Sequence, residues 1–235
     1  MTTTLQHIAI IPDGNRRWAR KRGLKAWDGH KSGFARIEEL LDVFVEENIP
    51  YFSLWGASIE NITKRDKKEV SFLLKLLERR LKDIAKEKRI HENKVRIRVL
   101  GFWREYVPES LQKAIINVEK LTQKYDRHNF TLLLAYNGRE EILRCVKKIS
   151  AESRGNKRVK IDAQEIKQGL LTKDLPPVDL VIRTGGEPHL SAGFMMWDTA
   201  DAQLYFTDKY FPDFDKKELR VAVEDYKKRE RRFGA

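Results

Sequence analysis

The chain contains a single cysteine, Cys145, among its 235 residues. One thiol excludes both an intramolecular disulfide and a thiolate zinc cluster, and it suits a reducing compartment. Long apolar runs are missing as well. No stretch approaches the roughly 20 residues that a bilayer-crossing helix requires, and the opening MTTTLQH has no Lys or Arg ahead of its brief apolar segment, so no secretory leader is read there. These absences predict a soluble, cytoplasmic protein. There is no GxxxxGK[ST] loop for ATP or GTP, and no order of serine, histidine and aspartate that marks a nucleophilic triad. Hydrolysis through a covalent nucleophile is therefore disfavoured. With no internal repeat and no long linker, residues 1–235 are expected to form one domain.

Positive charge is plentiful. Lys and Arg number 47 against 35 Asp and Glu, a net charge of +12, which implies attraction to phosphates, acidic membrane surfaces or nucleic acid. Many of the basic residues alternate with acids on helical faces, the pattern of solvated surface, so nucleic-acid binding is not expected, while peripheral membrane contact stays open.

Short β-type runs recur as HIAIIP, YFSLWGA from Tyr51, VRIRVLG from Val95, FTLLLAY from Phe130, VDLVIRT from Val178 and QLYFTD from Gln203. Between most of them lie helical stripes: Ile37, Leu40, Leu41, Phe44 and Val45; Val70 to Ile84; Ile115, Val118 and Leu121; Ile142, Val146 and Ile149; Leu219, Val223 and Tyr226. Strands alternating with helices predict an α/β fold with a mainly parallel central sheet and helices on both faces. The polar, basic stretch SRGNKRVK from Ser153 reads as a mobile loop.

In such a sheet ligands gather beyond the carboxyl ends of the strands. There HIAIIP gives way to Asp13, Gly14, Asn15, Arg16 and Arg17, a turn that can aim backbone amides and fixed cations at an anion. Asp13 could then hold Mg²⁺ against that anion. Taken alone, DGN is also the sequence of an ordinary Asp-Gly turn. A second strand end, VIRTGGEPHLS, repeats the chemistry with Arg183, Gly185, Gly186, Glu187, His189 and Ser191. Between the two, ASIENITKR supplies Ser58, Glu60 and Asn61 without a nucleophile and base pair.

DGNRRW, the pair Gly29 and His30, SxEN at Ser58 to Asn61, YNGR from Tyr136, VDLVIRTGGE, LYFTD, PDF from Pro212 and the terminal RERRFG together resemble the ordered signature of cis-prenyltransferases, the undecaprenyl diphosphate synthase family. The likeness spans almost the whole chain. It implies a homodimer with an apolar tunnel, Mg²⁺ on Asp13, and an allylic prenyl diphosphate held by Gly14, Asn15, Arg16, Arg17 and His30. Asn61 is the further catalytic residue so implied and Ser58 a further contact to substrate. Arg183 and Ser191 would grip isopentenyl diphosphate, and Arg232 and Gly234 would reach the partner's phosphate site. The stripe from Val70 to Ile84 reads as core first and tunnel wall second.

Several family positions differ. His189 stands where a second arginine is expected, Gln203 where a glutamate helps hold the metal, Ala26 where an arginine precedes the GH pair, and Ile62 and Lys64 where tryptophan and arginine follow EN. The segment before Phe194 is one residue longer. These changes favour, on sequence, transfer of the prenyl group to a non-standard acceptor, a hydroxyl compound such as a sugar; the alternative is ordinary cis elongation with isopentenyl diphosphate. A non-catalytic partner subunit is a third reading, opposed by the retained Asp13.

Overall fold

All six β-type runs form strands of one sheet. The computed structural model describes residues 5–153 and 162–229, so the loop expected beyond Ser153 and the terminal Arg232 and Gly234 lie outside the described residues. The strands are β1 (His7–Ile11), β2 (Tyr51–Ala57), β3 (Val95–Leu100), β4 (His128–Leu134), β5 (Leu180–Arg183) and β6 (Gln203–Phe206). They run parallel throughout in the order β3-β4-β2-β1-β5-β6. β1 and β4 are buried at every position, as strands covered on both faces must be.

The predicted apolar stripes lie in α2 (Ala26–Glu46), α4 (Lys67–Ile84), α7 (Glu109–Thr122), α8 (Gly138–Ser153) and α10 (Lys216–Lys228). Shorter helices α1 (Asn15–Lys21), α3 (Ile59–Lys64), α5 (Lys88–Glu92), α6 (Trp103–Tyr106) and α9 (Ala163–Gly169) complete the described elements, with a 3₁₀ turn at Phe211–Asp213. These five helices have four to seven residues each, too short for periodicity to reveal. Side-chain caps begin several helices. Asp66 accepts from the amides of Lys68 and Glu69 at the start of α4, and Asp215 accepts from Glu218 at the start of α10.

From β1 the chain adds β2 beside it, then edge strand β3 and β4 between β2 and β3, and returns to add β5 and β6 on the other side of β1. The reversal places a crevice between the carboxyl ends of β1 and β5, where Ile11 is in register with Arg183. The DGN turn follows one strand and the RTGGE segment the other.

Candidate active site

Gly14 sets the first half of the crevice. It caps α1 with φ 98°, a left-handed conformation natural to glycine, and a Cβ there would stand 2.4 Å from Cδ1 of Tyr210. Asp13 turns back to accept from the Gly14 amide at 2.5 Å. The amides of Asn15, Arg16 and Arg17 fall in the first helical turn, where no preceding carbonyl serves them. Gly29 allows α2 to approach this turn, since a Cβ on it would lie 2.1 Å from the Asn15 carbonyl oxygen. The GH pair thus fixes the distance between α1 and α2 and delivers His30, one residue on, to the same space.

β5 supplies the second half. Arg183 is 5% exposed. Its guanidinium donates to Asp13 Oδ2 at 2.9 Å, to Ser191 Oγ at 2.6 Å and to the His189 carbonyl at 2.6 Å. His189 Nε2 lies 3.2 Å from the same Ser191 hydroxyl. Arg17 bridges the halves, 3.2 Å from both Asp13 Oδ1 and Glu187 Oε1, and Thr184 Oγ1 accepts from the Asp13 amide at 2.9 Å. Gly185 and Gly186 have another task. Their amides donate to the carbonyls of Lys209 and Thr207, so in this cluster the cation and hydroxyl, rather than the glycine amides, face the crevice.

Both halves open into one cavity of about 810 Å³, within the range of small-molecule sites. Asp13 to Arg17, His30, Ser58, Asn61, Arg183 and Ser191 line its polar end; Phe34, Ile37, Leu54, Leu73, Leu74, Leu77, Leu132 and Leu134 line the remainder. The α4 stripe therefore has both roles expected of it, because Leu74 and Leu77 belong to the core and also form the cavity wall. Ser58 and Asn61 hold each other: the Ser58 hydroxyl accepts from the Asn61 backbone N–H at 3.0 Å and the Asn61 side-chain Oδ1 from the Ser58 backbone N–H at 3.4 Å, a reciprocal cap on α3. Asn137 of YNGR donates to Glu60 at 2.9 Å, tying that motif to SxEN. Burial opposes the charge on Glu60, yet hydrogen bonds from its own amide, Ser58 and Asn137 keep its pKa below the usual carboxylate value.

His30 Nε2 lies 2.9 Å from Glu69 Oε1, in a buried position. Burial lowers its pKa, outweighing the opposing pull of Glu69, so the ring is neutral and donates to Glu69. Two cations were not assigned from sequence. Arg65 lines the cavity 3.8 Å from Glu69, and burial followed by repulsion from Arg16 lowers its pKa. Arg20 is the other cavity-lining cation. The only sequence signal for Arg65 was its place at the end of ASIENITKR; its direction depends on α3 and α4. Gln203 is not brought to Asp13 within the chain. It opens β6 in register with Leu180, three positions before the Phe206 and Arg183 pair at the cleft end, and its Oε1 is buried without a hydrogen-bond partner among the described residues.

Among the described residues no three His, Cys, Asp or Glu side chains cluster as a metal cage, and no helix is long and apolar enough to cross a membrane. The half-buried Asp13 carboxylate at the mouth of the anion pocket, with Glu187 across Arg17, nevertheless fits Mg²⁺, which keeps several waters and commonly takes one or two carboxylates together with substrate phosphates.

Comparison with known proteins identifies the family. Residues 11–234 match the prenyltransferase family model described as "Putative undecaprenyl diphosphate synthase". The chain is 41% identical to an isoprenyl transferase of Rickettsia typhi, over 99% of each chain. It is 40% identical to a tritrans,polycis-undecaprenyl-diphosphate synthase (geranylgeranyl-diphosphate specific) of Pyrococcus horikoshii, over 97% of this chain and 86% of that one. Among solved structures, lavandulyl diphosphate synthase from Lavandula x intermedia in complex with dimethylallyl diphosphate superposes with a TM-score of 0.92 at 33% identity, covering 99% of both chains. A probable undecaprenyl diphosphate synthase from Campylobacter jejuni gives 0.80 at 30% identity, covering 99% of this chain and all of that one. The chain belongs to the cis-prenyltransferases of the undecaprenyl diphosphate synthase family.

Proposed function

We propose that the protein condenses an allylic prenyl diphosphate with isopentenyl diphosphate to make a cis-polyprenyl diphosphate. The observation that carries this reading is the contact between Arg183 and both Asp13 and Ser191, which makes the two strand-end clusters neighbours in one cleft. Two diphosphates held on opposite sides of Asp13 would have their reacting carbons near each other at the head of the apolar cavity. On the donor side the amides of Asn15 and Arg16 and the side chain of Arg17 receive the leaving diphosphate, with Arg65 and Arg20 as further cations. Neutral His30 would meet that anion as a donor through Nδ1 after gaining a proton, or through Nε2 after releasing Glu69. On the acceptor side Arg183 and Ser191 hold the second diphosphate. Breaking the allylic C1–O bond leaves negative charge on the departing oxygens, and preorganised cations stabilise charge as it grows there; as C1 bonds to C4 of isopentenyl diphosphate, the C2 proton of the latter passes to the departing diphosphate and leaves the new double bond. Asp13 would hold Mg²⁺, which neutralises diphosphate charge when bound. The apolar walls shield the allylic cation from water.

The relatives that are tritrans,polycis-undecaprenyl-diphosphate synthases support this reading over the altered acceptor favoured by the sequence alone. A non-standard acceptor keeps one specific observation in its favour: His189 carries one ring beside Ser191 where a second guanidinium is expected, with 57% of its side chain exposed. Homodimer formation belongs to the same proposal. It is supported by edge strand β6, which leaves Leu204 and Phe206 more than a third exposed.

Labelled isopentenyl diphosphate supplied with allylic diphosphates of several lengths and Mg²⁺ tests the reaction by product mass. Products lengthened by successive C5 units support condensation. Donor consumption without isopentenyl diphosphate, yielding a prenylated polar compound from cell extract, would instead establish the non-standard acceptor. In that case the double change His189→Arg with Gln203→Glu should raise elongation above either single change.

A further inference from the structure

The turn joining α1 to α2 is a surface that the reaction does not use. Five consecutive residues, Lys21, Arg22, Gly23, Leu24 and Lys25, are exposed, and Leu24 at the tip is 45% exposed. Two half-buried aromatic rings lie behind it: Trp27 of α2 and Phe72 of α4, 6.2 Å apart. The Lys25 ammonium stands 5.1 Å from the Trp27 ring centroid, and that of Lys31 stands 5.7 Å from the Phe72 centroid. Acids at this surface are few. Asp28 lies 3.7 Å from Lys31 and caps the Lys25 amide, and Asp213 pairs with Arg22 and with the Trp18 indole. Arg20, Lys21 and Lys25 form no ion pair with a carboxylate among the described residues.

We propose that this turn, with Leu24, Trp27, Phe72 and the cations Lys21, Lys25 and Lys31, docks the protein on an anionic lipid bilayer. An exposed leucine and aromatic rings enter the headgroup boundary while flanking lysines meet anionic headgroups. Its position supports the assignment. α2 and α4 carry the aromatic pair outside and line the cavity inside with Phe34, Ile37, Leu73, Leu74 and Leu77. Resting on the proposed condensation, a lipid product held between these helices would then leave next to the phase in which it dissolves. α7 exposes Ile116 and Leu121 as well, but α7 lines none of the cavity.

Flotation of the full chain, without substrate, with vesicles of equal phosphatidylglycerol and phosphatidylcholine tests the proposal. Binding is expected to these vesicles and not to phosphatidylcholine alone, and to weaken with salt. Leu24→Glu and the pair Lys21→Glu with Lys25→Glu should each lower it at least roughly tenfold. Turnover of a short, water-soluble allylic diphosphate without vesicles should be unchanged in both. The matched pair Lys120→Glu with Leu121→Glu on α7 should keep wild-type binding. Equal losses in the α7 pair, no binding by wild type, or tighter binding to RNA that the turn variants abolish would each overturn the proposal. Because binding is read without substrate, its failure leaves the condensation reaction untouched, and a failed reaction assay leaves the lipid result standing.

Discussion

Replacing Arg183 by Lys separates the acceptor side of the cleft from the donor side. The change keeps a positive charge at the end of β5 and removes the guanidinium fork, whose one nitrogen serves Ser191 Oγ and the His189 carbonyl while the other serves Asp13. An ammonium is a point charge with different reach and cannot reproduce this fixed geometry. A hydrogen bond to a charged group contributes about 1.5–3 kcal/mol. The two contacts on one nitrogen are coupled, so they count as roughly one such loss rather than two. The expected consequence is a roughly ten- to 150-fold lower kcat/KM for isopentenyl diphosphate. Affinity for the allylic diphosphate, held from α1, should change much less. Steady-state rates at saturating donor with varied isopentenyl diphosphate read the first quantity, and calorimetry with the donor reads the second. An unchanged kcat/KM for isopentenyl diphosphate, or an equal loss in donor affinity with the fold intact by circular dichroism, would refute the assignment of Arg183 to the acceptor.

Two further outcomes follow from other parts of the structure. His7 is buried at the amino end of β1, with Nδ1 2.9 Å from the Pro176 carbonyl and Nε2 2.8 Å from Ser53 Oγ; burial lowers its pKa to about 4, the Pro176 carbonyl opposing. The unfolded chain, with an ordinary histidine pKa of about 6.5, binds the proton first, so this contribution is fully present above that value and is lost as pH falls toward 4. At pH 5 the loss is about 2 kcal/mol. Urea denaturation near neutral pH and at about pH 5 should show that slope in wild type and not in His7→Gln, and equal slopes would remove His7 as its source. Gly14→Ala places a Cβ against Tyr210 at a positive φ and should cost about 1–3 kcal/mol of stability as well as donor affinity; a melting temperature and donor Kd equal to those of wild type would show that the turn yields without cost.

The six strands were legible because each is a short apolar run closed by a local signal, as HIAIIP is by Pro12 and Asp13. The long helices were legible from their stripes. The four- to seven-residue helices were not, since fewer than two turns leave little periodicity. α4 shows the same limit in another form: its stripe states that one face is buried, but a cavity wall and a core present the same face.

The sequence by itself determined the residue chemistry at two strand ends, the anion-seeking charge and the parallel α/β class, because a turn residue, a cap and an apolar period act over a few neighbours. Only the tertiary structure decided which of these residues meet. Arg183 reaches Asp13 across 170 positions and Asn137 reaches Glu60 across 77, contacts fixed by the order of strands in the sheet. Register likewise kept Gln203 away from Asp13 in the same chain, since it begins β6 rather than ending it. The direction of α3 and α4 brought Arg65 into the cavity. Local sequence states what each residue can do; long-range packing sets the distance and orientation at which two of them act together.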